Sequence, residues 1–372
     1  MKVLIVGAGL SGATLAERFA NIGYSVLVIE KRSHIAGNCY DFHDETGILM
    51  NQYGAHIFHT SSERVWEYVN RFSKWIEWHH KVIGKIGEKL FPIPININTV
   101  NTLCNTTLTN EADMKQWLLN NTISIETPTN SEEVALKRVG PLLYKTIFKD
   151  YTFKQWAKYP SELDPSVLER IPVRTDYNGD YFSDTHQALP EKGYTEFIRS
   201  MLTHPNITVK LNTEYAPEMA KEYTFVLYTG PIDAYYASHN YPKLEYRSIQ
   251  FEKETLDIDH YQTNSVINYP SLEDPFTRIV EYKHFLNQHI PGKTVIVKEY
   301  TTGEGDPYYP VPTKKNQETY KRYQELAKAD EANGIYFIGR LANYKYYNMD
   351  AAILNALEFF DGFVLRGISS PF

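Results

Sequence analysis

Residues 3–37 read VLIVGAGLSGATLAERFANIGYSVLVIEKRSHIAG, and this stretch decides the fold. An apolar run of strand character ends at Gly7-x-Gly9-x-x-Gly12. A helical pattern follows from about Ser11 to Asn21, and a second apolar run ends on Glu30. Glycines at these positions allow a tight turn and a close backbone approach to phosphate, while the helix directs its positive N-terminus at the anion. Glu30, about 18 residues beyond Gly12, stands where a carboxylate accepts the ribose hydroxyls. Strand, glycine triplet, helix, strand and acid in this order predict a socket for the pyrophosphate and ribose of a dinucleotide.

Glu30 also discriminates among dinucleotides, because a 2′-phosphorylated cofactor favours Arg at that position and NADP is therefore disfavoured. Lys31 follows it directly, and a second small-residue turn, Ala36-Gly37-Asn38, comes soon after. This arrangement resembles the FAD-binding version of the fold, in which a Gly-Gly pair follows the acid. Ala36 is a slight departure, small enough to keep FAD as the expected cofactor, with Lys31 and Asn38 among its contacts.

The chain has 372 residues and a formal charge of −7, enough length for two or three domains and no basic field to recruit nucleic acid or anionic lipid. Cys39 and Cys104 are too few for a disulfide framework or a thiolate metal cage, so no metal is expected and a reducing, cytoplasmic location is. The first apolar run leads into Gly7 and not into a cleavage site, and no apolar stretch reaches the roughly 20 residues that span a bilayer.

Two later apolar runs, 223–232 (YTFVLYTGPI) and 334–340 (GIYFIGR), read as further central strands of the same parallel sheet, and 351–365 as its last helix. The dinucleotide domain is therefore expected to be discontinuous: 1–65, 205–240 and 318–372. Residues 63–160 are mainly helical in pattern, and the Asn- and Thr-rich part, 98–130, suggests short helices with capped turns. A helical insert is expected over 66–165. Short β-branched and aromatic runs between 241 and 312 predict an antiparallel sheet, drawn from 80–98, 166–204 and 241–317, with a mobile loop near 165–180. The fold class expected is α/β: an FAD-binding Rossmann-like domain with an inserted helical domain and an antiparallel β-sheet domain.

Five further blocks lie along the chain: Tyr53-Gly-Ala-His56-Ile-Phe-His59-Thr60, Phe225-Val-Leu-Tyr-Thr229-Gly230-Pro231-Ile-Asp233, Phe276-Thr-Arg278-x-x-Glu-Tyr-Lys-His284, Pro307-Tyr308-Tyr309-Pro310 and Gly339-Arg340-x-x-x-Tyr344-Lys-Tyr346-x-x-Met349-Asp350. Together, and in this order, they resemble the bacterial UDP-galactopyranose mutases. The resemblance implies an isomerase that interconverts the pyranose and furanose forms of a nucleotide-linked hexose, foremost UDP-galactopyranose, and supplies furanose for cell-surface glycan synthesis. It implies FAD in the reduced form, with N5 as covalent nucleophile at C1, hence a reductant for the flavin, a UDP-sugar substrate and a homodimer. The cofactor carries the hard chemistry and the protein orients it.

On the same resemblance, Arg170, Arg278 and His59 take catalytic roles. Arg278 is the fixed arginine on the diphosphate, Arg170 the one on the mobile loop, with Arg174 a nearby competitor. Tyr181, Tyr308, Tyr309 and Tyr346 are phenolic donors for phosphate oxygens. Phe148, Tyr151, Thr152 and Trp156, with Asn268, are the base and ribose contacts, although the spacing of the first four alone equally describes a core stripe. His56, Arg247 and Arg340 are expected against the cofactor. Arg247 reads as well as a sheet-edge surface arginine. Arg340, after a strand end, suits a pyrophosphate. Met349-Asp350 opens the last helix, so its amides can stabilise negative charge on the flavin, and Asp350 reads also as a plain cap.

Two positions depart from the family pattern near the hexose: His80 stands where members often have Asn, and Asn348 replaces an Asp. They leave open an N-acetylated, deoxygenated or differently nucleotided hexose. An amine-oxidase-type flavin oxidoreductase and a Rab-GDP-dissociation-inhibitor-like binding protein share the dinucleotide fold and are the competing readings.

Overall fold

The computed structural model describes residues 1–365. Strand β1 (Lys2–Val6) and strand β2 (Ser25–Ile29) pair in parallel through helix α1 (Leu10–Asn21). They form a five-stranded parallel sheet in the order Ile207–Lys210, β2, β1, Phe225–Tyr228, Ile335–Phe337. Val3, Leu4 and Ile5 are all fully buried, as expected of a parallel strand covered on both faces. Phe19 of α1 meets Phe360 and Phe363 of the last helix, Met349–Leu365, edge to face at 5.1 and 5.2 Å, which seals one layer of helices to the sheet. Three distant stretches of chain thus share one sheet. The strand Ile335–Phe337, expected at the centre, is its edge.

A second sheet has seven strands in the order Tyr309–Pro310, Tyr246–Leu256, Thr294–Thr302, Arg278–Glu281, Val266–Asn268, Val82–Ile86, Lys89–Ile93. All its pairs are antiparallel except Val266–Asn268 with Val82–Ile86, so the expectation of a wholly antiparallel sheet is corrected there. The mainly helical reading of 63–160 also needs correction. Trp75–Glu77 is a strand within it, short enough that a neighbouring strand and not local periodicity defines it, while Val82–Ile86 and Lys89–Ile93 are the strands expected of 80–98. Of the 166–204 segment assigned to the second sheet, His186–Pro190 instead pairs between Phe58–Thr60 and Trp75–Glu77, while helix Tyr194–Leu202 buries Phe197, Ile198 and Met201.

The helical region owes its starts to asparagine. Asn96, Asn110 and Asn130 each accept an N–H from the third residue of the helix they open, at 3.0 Å. A kink at Gly140–Pro141 and a π-helical turn, Tyr144–Lys149, then lead into the helix Asp150–Trp156, which lies against the second sheet. No described helix is long and apolar enough to cross a membrane.

Candidate functional site

At the carboxyl end of β1 the chain turns through Gly7 with φ +107°, and a Cβ there would lie 2.3 Å from Thr229 Oγ1. A Cβ on Gly12 would lie 2.0 Å from the Gly7 carbonyl, so the third glycine serves the close packing of helix on turn. Gly9 caps α1 without a side chain, leaving the first N–H groups free of any side-chain cap. Glu30 is buried; its carboxylate accepts the Ala8 N–H at 3.0 Å and the Arg32 N–H at 2.9 Å, tying the first turn to the second.

These groups open onto a cleft of about 1140 Å³. Gly7, Gly9, Glu30, Lys31, Asn38, His56, Arg247, Arg340 and Met349 line it, whereas Gly12 and Asp350 do not. The Asp350 carboxylate accepts the adjacent Ala351 N–H at 2.7 Å. Arg247 is 8% exposed, which removes the surface reading. Arg32, which the sequence reading passed over, also lines the cleft: it pairs with Asp306 at 2.8 Å, donates to Asn38 at 3.0 Å and lies 4.3 Å over the Tyr53 ring. Its position two residues after Glu30, on the same sheet edge, was the available signal.

Arg340 decides what the cleft can hold. Its Nε and Nη2 are buried with no hydrogen-bond partner among the described residues, while its guanidinium lies 4.9 Å from the Tyr309 ring and 4.5 Å from the Tyr346 ring. An orphaned guanidinium edge calls for an anion. His56 stays neutral, pushed down to about 4 by burial with Arg340 and Arg278 adding to it; its Nδ1 donates to the Gly54 carbonyl at 2.7 Å, so its Nε2 is an acceptor.

A second cluster of side chains adjoins the cleft at Arg340. Sheet register sets Asn268 beside Arg278 and Arg278 beside Glu299. Arg278 donates to the Glu299 carboxylate at 2.6 Å, and its charge is held firmly, since Glu299 outweighs the burial that would discharge it. Tyr309 and Tyr346 stack at 5.4 Å, Trp156 approaches them at 6.2 and 6.1 Å, and Arg170 lies 4.5 Å over the Tyr346 ring. Burial would push the Tyr346 phenol up, but Arg170, Arg340 and Arg278 together hold it below its ordinary value. Tyr151 sits close to Arg278 and Tyr181, its phenol pushed up by burial, with Phe148 and Thr152 buried on neighbouring turns. Asn268 Oδ1, Trp156 Nε1 and Glu299 Oε1 are buried without partners among the described residues.

Other expected residues have different surroundings. Arg174 donates to the Asp180 and Phe182 carbonyls and to Ser183 Oγ, so it holds its own loop together. Tyr308 faces Tyr53 at 6.1 Å on the cleft side, apart from Tyr346. His59 pairs through Nδ1 with Asp184 at 2.8 Å and stacks on Phe182 at 3.7 Å. His80 is buried and accepts the Trp78 indole N–H at 3.4 Å; burial, then Arg278 and His59, push it down to about 3, which keeps it neutral.

Comparison with known proteins gives the family of the chain. A family model described as UDP-galactopyranose mutase matches residues 146–346, and one described as an NAD(P)-binding Rossmann-like domain matches residues 5–72. A probable UDP-galactopyranose mutase of Klebsiella pneumoniae is 40% identical over 98% of this chain and 94% of its own length. A dTDP-fucopyranose mutase of Escherichia coli is 38% identical over 96% of this chain and 97% of its own. A crystal structure of reduced UDP-galactopyranose mutase, 17% identical, superimposes with a TM-score of 0.78 over 99% of this chain and 96% of that one, a likeness of fold. With full-length relatives at this identity and a family match across the arginines and tyrosines of the second cluster, the chain belongs to the UDP-galactopyranose mutase family.

Proposed function

We propose that this protein interconverts the pyranose and furanose forms of a nucleotide-linked hexose, UDP-galactose first among them, with FAD in the cleft at the carboxyl ends of β1 and β2 and the sugar nucleotide against the adjoining cluster. The single observation that carries the proposal is Arg340. It lines the cleft with two buried, unpartnered nitrogens, and its two aromatic neighbours belong to the second cluster, so one cation serves both ligands. A reduced flavin bound there supplies a nucleophilic nitrogen to C1 and is not consumed.

The chain's own residues then have defined work. Ring contraction breaks the bond from C1 to the ring oxygen and closes C1 onto the 4-hydroxyl, while the nucleoside diphosphate leaves and returns. Arg278, fixed by Glu299, and Arg170, against Tyr346, neutralise the diphosphate as it departs. Tyr346 and Tyr309 offer phenolic hydrogens to its oxygens. The unpartnered Trp156 Nε1 and Asn268 Oδ1 suit the base and ribose, with Tyr151 stacking on uracil. His59 and His80 border the hexose. We place the protein in the cytoplasm as a homodimer serving cell-surface glycan synthesis, with the cofactor domain formed by 1–65, 205–240 and 318–372.

The test is conversion of UDP-galactopyranose by the purified holoenzyme with and without dithionite. Turnover only after reduction, with no net consumption of reductant, is expected. Failure of the reduced enzyme on every UDP- and dTDP-hexose overturns the proposal.

A further inference from the structure

The ammonium of Lys154 lies among four backbone carbonyls, those of Tyr269, Ser271 at 2.7 Å, Asp274 at 3.0 Å and Phe276 at 2.8 Å. They all belong to the turn 269–276. That turn has Asn268 immediately before it and Arg278 two residues beyond it, each on a strand of the second sheet. Lys154 itself stands on the helix that carries Tyr151, Thr152 and Trp156. The same helix is tied again on either side of this contact: the Thr301 hydroxyl donates to the Lys154 carbonyl, and Arg247 Nε donates to the Gln155 carbonyl at 3.2 Å.

We infer that Lys154 is a positioning residue for sugar-nucleotide binding, fastening the helix that holds the base to the turn that sets Asn268 and Arg278. The inference rests on the placement of the nucleotide proposed above. An ammonium has three hydrogens, so four converging carbonyls share them, and the contact fixes the turn from several sides at once. A thioether or alkyl group of similar length cannot do this: it leaves four part-buried carbonyls facing it without a donor.

The clamp is also sensitive to pH. Burial pushes the Lys154 ammonium down to about 8, with Asp274 on the turn and Asp150 on the helix opposing that shift. Neutral Lys154 directs a lone pair at the carbonyls, so the contact is present below that pH and weakens as pH rises through it.

The experiment measures dissociation constants of UDP-galactose for the oxidised holoenzyme, read from the change in flavin absorbance, between pH about 7 and about 9, a span that brackets the folded-state titration of a buried lysine. The wild type is expected to bind roughly fivefold more weakly at the upper end. Lys154→Met is expected to bind about tenfold more weakly at neutral pH, with no further change as pH rises and with FAD content unaltered. Its flat profile also excludes titration of the base or of another side chain as the cause. Under turnover KM should rise, and kcat should fall by less than it does in Arg278→Ala, which removes the guanidinium itself. Binding by Lys154→Met within about twofold of the wild type, or a flat wild-type profile, overturns the inference and leaves the proposed function standing. If Lys154→Met does not fold, Lys154→Gln, which keeps two donors for the four carbonyls, is measured in its place, and binding within about twofold of the wild type overturns the inference. If the wild type binds no UDP-galactose at any pH, the inference and the proposed placement of the nucleotide fall together.

Discussion

The cofactor cleft and the adjoining crevice are built on opposite plans. One wall of the cleft comes from a contiguous stretch, 6–38, and works mainly through backbone groups, glycine turns and helix amides, with the Glu30 carboxylate already bonded to the N–H groups of Ala8 and Arg32; Arg247 and Arg340 add side chains from elsewhere. The crevice draws Tyr151, Arg170, Asn268, Arg278, Tyr309 and Tyr346 from separate elements, and it works through side chains; Asn268 Oδ1, and beside these residues Trp156 Nε1 and Glu299 Oε1, are buried without partners among the described residues. A site made of backbone must fit its ligand by conformation. A site made of orphaned side chains is completed by its ligand, so single substitutions in it should strike binding and turnover while leaving the fold of the cleft alone.

Arg278→Ala tests this most severely. Turnover should fall by about 10² to 10³, with the flavin spectrum retained. Glu299, 2% exposed, would be left as a buried carboxylate without its partner, so a stability loss of about 3 kcal/mol is expected as well. Arg278→Ala combined with Glu299→Gln should recover melting temperature and not turnover. If the single variant is purified without FAD, the division between the two regions is wrong.

Gly12→Ala strikes from the other side. A Cβ 2.0 Å from the Gly7 carbonyl must push α1 off its turn, at a cost of about 1–3 kcal/mol for such overpacking. Colourless protein with a lowered melting temperature is expected. Retention of full FAD would show that the turn can yield. A smaller effect is expected at Tyr346→Phe, which removes one phenolic hydrogen bond and keeps the stacking on Tyr309: about a tenfold loss in kcat/KM with the flavin spectrum unchanged.

The same contrast explains what could be read in the chain. The cleft was legible because strand, glycine, helix and acid all fall within thirty-five residues, and each has a local signature. In the crevice, Arg278 and Asn268 face one another through sheet register, a relation ten residues apart in sequence and fixed by hydrogen bonds between strands. Only the family resemblance singled them out. Arg174 and Arg170 are equally plausible from their loop, and what separates them is the loop's own carbonyls, which take up Arg174. The strand at Trp75–Glu77 escaped for a related reason: it is short, and its identity lies in a partner more than a hundred residues away, whereas Val82–Ile86 and Lys89–Ile93, which pair with each other, fall within the 80–98 assigned to the sheet.

A pair outside both regions calibrates these tests. Glu281 accepts the Tyr261 and Gln262 N–H groups, the Thr294 hydroxyl and His284 Nε2, the last at 3.1 Å. Burial would raise its carboxyl, but His284, Thr294 and the two amides together bring it down to about 2, while the His284 imidazole is raised, chiefly by its hydrogen bond to Glu281. The signs differ. The lowered carboxyl contributes stability that is present above its unfolded value and lost as pH falls toward 2; the raised imidazole contributes stability present below its unfolded value and lost as pH climbs past its folded one. The clamp is therefore strongest in mildly acidic solution. His284→Gln should lower the melting temperature more at pH about 5.5 than at pH about 8.5, the two sides of an ordinary histidine titration, by a few degrees. It should leave FAD content and kcat/KM at neutral pH unchanged. An equal loss at both pH values would mean that the imidazole acts through its shape and not its charge. A loss of turnover would mean that the second sheet transmits strain to Arg278, three residues before Glu281 on the same strand, and that the crevice depends on its scaffold as closely as the cleft does.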